Sequence, residues 1–552
     1  MTDLDYSPEE QFEKVVAAVQ VANRSLAMAL ATNALQHGNA HPLILLLVAE
    51  RLEEQGLGDQ ALELLRKAYA AAPGVAEVSR RLARLLARQG LLEEAVQTFA
   101  VALVVEPNSC EALCGAGEAS FTAGDLIGAT RYYRRVIDIE PDQPDALSAL
   151  AVIAARMENH SLARSLAERV LALRPSDLSA QTALARADLS TGAPDLAAAR
   201  MTTLLDRVDL NDENRIAMLD LRADAWDGLD RHAEAFSDWA LRNRILERLS
   251  AAAIRSEHQE RRIDEARRLV GYFSAVAPTS WQAVETENKN RSGVRGHVFL
   301  LGFPRSGTTL LEKVLAGHPE VRTIEEVDHL GAVGGFFLSA VNELNRLARL
   351  TANHADTYRD RYWKMVSETL GDNTRNKTIV DKLPLHVRSL PLIAKLFPNA
   401  KILFAVRDPR DVVLSCFRRR FRLNAAMFEF LSLEGTAQYY DQIMLLARIY
   451  RAKFSFEVKE VRHETMVANF DGEVREILQF IGLDWHAAVR DFAARARLSL
   501  RTPSDPQLAR GLNADGVGQW RRYSQELEPV LDQLEPWVAH FGYAGEHRVG
   551  LK

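Results

Sequence analysis

Residues 297–315 read HVFLLGFPRSGTTLLEKVL, and this stretch decides the fold of the second half of the chain. His297–Phe303 is a short apolar run rich in β-formers and flanked by glycine, which reads as a buried strand. Gly302-Phe303-Pro304-Arg305-Ser306-Gly307-Thr308-Thr309 follows as a loop, and a helical run begins near Leu310. Strand, glycine-containing loop and helix together suit an anion, because N–H groups of the loop and of the helix N-terminus point at one place. A purely structural glycine-rich turn is the bland alternative. The spacing Gly302…Gly307 mimics a Walker A loop, but Thr308 stands at the lysine position. An ATPase or kinase needs that lysine on the terminal phosphates. The positive charge instead sits inside the loop at Arg305, which points to a different phosphoanhydride.

Continued by LLEKVLAGHPEV, the FPRSGTT loop resembles the 5′-phosphosulfate-binding loop of sulfotransferases, enzymes that use 3′-phosphoadenosine 5′-phosphosulfate (PAPS). It is most similar to the tyrosylprotein sulfotransferase branch and to bacterial relatives fused to helical repeats. The resemblance implies that Pro304, Arg305, Ser306, Gly307, Thr308 and Thr309 hold the cofactor. It also implies a 3′-phosphate motif with Arg and Ser eight residues apart across a strand-to-helix turn. KILFAVRDPRDVVLSCF (401–417) offers Arg407 and Ser415. Lys401–Val406 reads as a strand, Asp408-Pro409 turns the chain, and Val412–Phe417 starts a helix. Arg407 then leaves the strand end as a guanidinium suited to bidentate phosphate binding. The resemblance spans about residues 295–545. VRHETMVAN (461–469) is similar to the family's VRYEDL stretch, with His463 where Tyr is common. GVGQWRRYSQEL (516–527) is similar to the segment that closes over the nucleotide, which implies roles for Gly518, Trp520 and Arg521. Trp520 reads equally well as a core residue.

Sulfuryl transfer needs a base for the acceptor hydroxyl and positive charge near the leaving oxygens. HPEVRTIEEVDHL (318–330) carries Glu325 and Glu326, and the family's base falls on the second. Adjacent carboxylates usually point apart, so one of the two is expected to face the site, with Glu325 as the alternative. Cytosolic sulfotransferases use His, which keeps His329 and His386 as outsiders. Lys382, in TIVDKLPLH, matches the family's lysine between the base and the 3′-phosphate motif. A Lys at a strand's C-terminal end points into the ligand crevice of an α/β sheet; a solvated Lys is the alternative. Arg305, Lys382 and Glu326 are therefore the expected catalytic set, with no metal. The basic run Phe417-Arg418-Arg419-Arg420-Phe421-Arg422 suits either an acidic acceptor or a solvated helix face.

The first half is a repeat. Ala61, Ala95, Ala129 and Ala163 are spaced by 34 residues. Gly56, Gly90 and Gly124 precede three of them by five residues, and Pro73, Pro107, Pro141 and Pro175 follow all four by twelve. Ala68, Ala102, Val136 and Val170 keep the same phase, as do Ala27 and Ala34 before them and Gly192 and Ala197 after, and Gly228, Ala233 and Ala240 follow after a two-residue insertion. Each unit reads as a helical hairpin in which Gly ends the first helix, small residues let the pair approach, and Pro closes the second. The pattern resembles the tetratricopeptide repeat (TPR) over about residues 8–245. The resemblance implies a solenoid whose concave face holds a protein or peptide partner. Arg244–Phe273 stays helical but leaves the phase, as a cap and connector.

Composition sets the outer bounds. The chain has 552 residues, 47% hydrophobic and 26% charged, which is material for several domains. Lys+Arg 68 against Asp+Glu 74 gives a formal net charge of −6, against a nucleic-acid coat or a polybasic membrane binder. Cys110, Cys114 and Cys416 are too few for a disulfide framework and fit a reducing, cytoplasmic compartment. Cys110 and Cys114, spaced CxxxC, read as helix-face packing residues. The acidic start MTDLDYSPEEQFEKV lacks the apolar core of a signal peptide, and the longest apolar run, Gly331–Val341, is too short for a bilayer. The expected architecture is multidomain: an N-terminal all-α TPR solenoid (1–245), a connector (246–290) and a C-terminal α/β P-loop-like sulfotransferase domain with a parallel sheet (291–552). The expected activity is PAPS-dependent transfer to a hydroxyl on a protein, glycan or small-molecule acceptor. A non-catalytic scaffold and a P-loop kinase are the rivals.

Overall fold

The 34-residue spacing is realised as paired helices. The computed structural model describes residues 7–207, 209–256, 260–277, 281, 293–371, 374–499 and 511–544. Helices Pro42–Glu54 and Gly58–Ala71 make one hairpin, and the same unit recurs through Ala76–Val105, Cys110–Ile139, Pro144–Leu173 and Leu178–Leu205. Pro8–Gln20 and Arg24–Gln36 form a further pair before them, and Asp212–Gly228 follows. The in-phase residues Ala61, Ala68, Ala95, Ala102, Ala129, Val136, Ala163 and Val170 are completely buried on the second helices, where a larger side chain would hold the pair apart. Gly90 and Gly124 turn between paired helices at φ 79° and 86°. Where the repeat lacks Gly, Glu158 takes the same left-handed turn at φ 58°. The expected turn at Gly228 falls elsewhere: Gly228 ends a helix, and Asp230 supplies the positive φ of 57°. Cys110 and Cys114 pack against the array's core on one helix face.

The chain divides into two units between Leu229 and Asp230, earlier than the expected boundary at 245. The reason is local to the second unit. Arg242 and Asn243, on helix His232–Ser256, both donate to the carbonyl of Phe417 at 3.1 and 3.0 Å. The expected boundary at 290/291 lies outside the described residues. Helix Arg262–Ala275, read as connector, is built into the second unit as well. Its Glu265 is 5% exposed and accepts from Arg388 at 2.5 Å.

That unit is built on a five-stranded, all-parallel sheet: β1 Gly296–Gly302, β2 Val321–Glu325, β3 Thr378–Lys382, β4 Lys401–Val406 and β5 Glu457–Arg462. The order is β2-β3-β1-β4-β5. From β1 the chain moves toward one edge and from β4 toward the other, so the switch point lies between these neighbours, where α/β sheets bind ligands at the strand C-termini. Val298 and Leu300 face helices Thr308–Leu315 and Phe470–Ile481 on one side of the sheet. Phe299 packs with Tyr362 and Phe397 on the other. Among the described residues, no helix is long and apolar enough to cross a membrane.

Candidate active site

The loop after β1 and the turn after β4 meet at the switch point. After β1, Ser306 N–H closes a tight turn on the Phe303 carbonyl at 3.1 Å, Arg305 adopts φ 71°, and Gly307 adopts φ 97° as the N-cap of helix Thr308–Leu315. The helix begins two residues before the expected Leu310. A Cβ on Gly307 would stand 2.9 Å from Nδ1 of His463, so this position needs glycine for space as well as for φ. The first N–H groups of a helix have no partner within it, and the dipole adds partial positive charge there.

After β4, Asp408 caps helix Pro409–Arg418 and Arg407 turns back over the loop. Arg407 Nη1 donates to the Arg305 carbonyl at 3.1 Å, and Nη2 donates to the Gly516 carbonyl. Arg305 Nε donates to Ser415 Oγ at 3.0 Å, and Cys416 Sγ donates to the Pro304 carbonyl at 3.4 Å. Arg305, Arg407 and Ser415 thus form one cluster, although their motifs stand about 100 residues apart. Burial, then neighbouring Arg419 and Arg407, pull Arg305 down to about 9. Positive charge is concentrated here, and a bound anion would relieve it.

The pocket over this cluster is lined by Arg305, Gly307, Thr308, Thr309, Arg407 and His463 and roofed by Gly511–Asn513 and Gly516. Pro304, Ser306 and Ser415 support it from outside the lining. Gly518 and Trp520 lie beyond it, their N–H groups donating to Asp411 at 2.7 and 2.9 Å. Trp520 is 5% exposed and stacks on the Arg410 guanidinium at 3.8 Å, and Arg410 in turn donates to Asp408. Exposed Arg521 also lies over the Trp520 ring, at 5.4 Å. Sequence reasoning missed Asp411, which ties the roof segment to the second motif. It also missed Glu464, which accepts from Asp408 N–H at 3.1 Å and Tyr543 Oη at 2.7 Å. His463 is kept neutral, pulled down to about 3 by burial and by Arg407 and Arg305, and its Nδ1 is buried without a hydrogen-bond partner among the described residues.

The carboxylate pair lies at the ends of β2 and β3. Glu325 and Lys382 are register partners, and Glu326 N–H donates to the Lys382 carbonyl at 2.9 Å. Lys382 is fully buried; its Nζ lies 2.7 Å from Glu326 and 3.9 Å from Glu325. The expectation that the two carboxylates diverge therefore fails. Glu326 adopts φ 55°, which breaks the alternation of an extended strand and brings both acids to one lysine. They still differ in access. Glu325 is bound by Lys313 at 2.9 Å with its side chain 13% exposed, whereas the Glu326 side chain is 44% exposed. Buried Glu312, beside Lys313, is pushed up by burial. His329 donates or accepts at Thr369 Oγ1 (2.8 Å), and His386 Nε2 lies 3.0 Å from Asp328. Both imidazoles are almost completely buried.

Residues 297–487 match the model of the sulfotransferase family, and residues 52–113 match that of the tetratricopeptide repeat. The chain carries a sulfotransferase-family domain and TPR repeats. Protein-tyrosine sulfotransferase 1 of Danio rerio is 25% identical over 258 residues, covering 45% of this chain and 72% of that protein. Protein-tyrosine sulfotransferase A of Caenorhabditis elegans is 24% identical over 256 residues, covering 45% and 67%. An uncharacterized protein of Aquifex aeolicus is 27% identical over 259 residues, covering 44% of this chain, which spans only 33% of that relative's length. Among solved structures, a tetratricopeptide repeat protein from Parabacteroides merdae covers 43% of this chain and 93% of its own at 17% identity and a TM-score of 0.34.

Proposed function

We propose that this chain transfers the sulfuryl group of PAPS to an acceptor hydroxyl. The observation that carries the reading is the cluster at the switch point: a helix N-terminus, Arg305, Arg407 and a neutral His463 around one pocket, with Lys382 and Glu326 at adjacent strand ends. These groups fit a nucleotide with two anionic ends. Gly307 leaves room, His463 offers a buried nitrogen with no partner among the described residues, and the arginines supply charge. PAPS, when bound, supplies the sulfuryl group and leaves as 3′-phosphoadenosine 5′-phosphate. Arg305 and the N–H groups of Gly307, Thr308 and Thr309 hold the 5′ end; Arg407 and Ser415 hold the 3′-phosphate. Lys382 steadies charge on the leaving oxygens. Glu326, the accessible member of the acid pair, takes the hydroxyl proton.

The acceptor is a hydroxyl on a protein, glycan or small molecule, and a peptide tyrosine is the leading case given the relatives named above. The TPR array supports a protein or peptide acceptor. Its groove of about 1290 Å³ is lined by Arg81, Arg84, Glu118, Phe121, Tyr133 and Asp145, among others, and a second grip on one chain raises effective concentration. A reducing, cytoplasmic setting goes with this reading, since all three cysteines are free. Calorimetry should show 3′-phosphoadenosine 5′-phosphate binding where ATP and ADP do not. Incubation with sulfur-35-labelled PAPS and a panel of hydroxyl acceptors should then label one class. Preference for ATP would overturn the reading in favour of a kinase. Nucleotide binding with no labelled acceptor would leave a scaffold with a nucleotide sensor.

A further inference from the structure

Next to the base in sequence lies a polar cluster, mostly buried but with the Asp328 side chain 42% exposed, that the reaction above does not use. Asp381, on β3, is completely buried; its Oδ2 accepts from Tyr362 Oη at 2.8 Å, and Tyr362 also meets His297 Nε2 at 2.9 Å. His386, four residues past Lys382 in the turn Pro384–Ser389, is 1% exposed. Its Nε2 donates to Asp328 Oδ1 at 3.0 Å, two residues past Glu326. Burial works against charge on Asp328, yet the bond from His386 holds that carboxyl below its ordinary value. The other charged groups acting on this pair are Asp381, His329 and Arg388.

The geometry points to His386 as a positioning residue for the base, tying the turn that carries Glu326 to the segment that carries Lys382. This inference rests on Glu326 being the base. A non-glycine residue at φ 55° is strained and persists only where its surroundings over-determine it. Two clamps do so here, and both start from the β3 segment. Lys382 grips Glu326 from one side through its side chain at 2.7 Å and its carbonyl at 2.9 Å. His386 grips Asp328 from the other. Asp328 also forms the turn before the next helix, whose N-cap is Leu330: the Gly331 N–H donates to the Asp328 carbonyl at 3.3 Å, and a Cβ on Gly331 would collide with its carboxylate at 2.7 Å. Without the His386 bond, the stretch between β2 and helix Gly331–Phe337 keeps the Lys382 clamp and the His329 contact with Thr369 at 2.8 Å but loses its tie to the β3 segment at Asp328, and the carboxylate of Glu326 is freer to swing off its line to the acceptor.

The test is a set of full-length variants assayed for transfer and for 3′-phosphoadenosine 5′-phosphate binding. His386→Ala should lower kcat by about 10- to 100-fold, the scale of a misplaced catalytic group, with KM for PAPS and nucleotide affinity unchanged. His386→Gln, whose amide N–H reaches the Nε2 position, should restore most of the loss. Asp328→Ala should match His386→Ala, and the double variant should be no worse than either single one. An unchanged kcat in folded His386→Ala, no rescue by Gln, or additive losses in the double variant would each overturn the inference. If His386→Ala does not fold, His386→Gln and Asp328→Leu decide: an active Gln variant and an impaired Leu variant, which has no acceptor, are expected, and the reverse sinks the idea. Glu326→Gln separates the two levels. An active Glu326→Gln refutes the base itself, whereas an inactive one beside a fully active His386→Ala refutes only the positioning role.

Discussion

Two regions of the molecule put residues into left-handed backbone for opposite reasons. In the array, Gly90 and Gly124 turn with open space where a side chain would stand, and the turn does nothing but redirect the chain. In the α/β unit, Arg305 and Glu326 take φ 71° and 55° while carrying long charged side chains. An L-residue there costs roughly 1–2 kcal/mol. The array avoids that cost at Gly90 and Gly124 by choosing glycine and meets it at Glu158, whose side chain is exposed, whereas the candidate site meets it at two residues whose charged side chains are held by partners. Positive φ on a charged residue, held from both sides, therefore separates a working turn from a spacer.

The largest expected effect tests where one region ends. A fragment of residues 230–552 should fold and bind 3′-phosphoadenosine 5′-phosphate, while 291–552 should fail to fold. The shorter piece lacks Arg242 and Asn243, which satisfy the Phe417 carbonyl, and Glu265, which neutralises Arg388. Removing one member of a buried ion pair costs about 3–5 kcal/mol, a large share of a domain's stability. Thermal melts and calorimetry on both fragments decide it. A stable, nucleotide-binding 291–552 would erase the boundary at Asp230.

Next in size is the base. Glu326→Gln should reduce turnover by about 10²–10⁴-fold and leave nucleotide affinity nearly intact, since Gln keeps the shape and loses the proton acceptor. Glu325→Gln is the control and should retain most activity, because that carboxylate is already bound by Lys313. If the two variants exchange behaviour, the buried acid is the base. The cofactor arginine comes third. Arg407→Ala should cost about 1.5–3 kcal/mol of affinity for 3′-phosphoadenosine 5′-phosphate. Adenosine 5′-phosphate, which lacks the 3′-phosphate, should lose far less. Equal losses for both nucleotides would move the 3′-phosphate away from Arg407.

The legible and illegible parts of the sequence divide along the same line. Repeat phase was readable because Ala61 through Val170 are small for one reason, helix approach, and recur at a fixed interval. The two motifs were readable because each joins a strand to a helix through residues with local conformational duties. What escaped were partners set by tertiary folding. Asp411 and Glu464 bind backbone and hydroxyl groups 107 and 79 residues away, and no local pattern announces them. The convergence of Glu325 and Glu326 escaped for a different reason: it depends on the sign of φ at a Glu, a residue that seldom takes that sign. The turn at Asp230 was misplaced to Gly228 because glycine is the commoner signal.

The smallest expected effect bears most directly on the two kinds of turn. Glu158 and Glu326 have nearly the same φ, 58° and 55°, so glycine relieves the same backbone strain at both. At 158 the side chain is exposed and makes no hydrogen bond or ion pair among the described residues, so little else is lost. Relief of roughly 1–2 kcal/mol, less about 0.5–1 kcal/mol for glycine's extra freedom when unfolded, leaves Glu158→Gly more stable by about 0.5–1 kcal/mol. At 326 the same relief is opposed by loss of the bond to buried Lys382. Breaking a buried pair costs about 3–5 kcal/mol, but this one is discounted because Glu326 is partly exposed and Glu325 remains 3.9 Å from the lysine. Glu326→Gly should therefore be less stable by about 1–2 kcal/mol. Urea unfolding of both full-length variants, with amide exchange to localise the change, reads the two signs. Opposite signs mean that strain at 326 is held by its ion pair. A gain at both would mean that Lys382 contributes nothing to holding Glu326, and a loss at both would mean that the left-handed turn at 158 carries no strain.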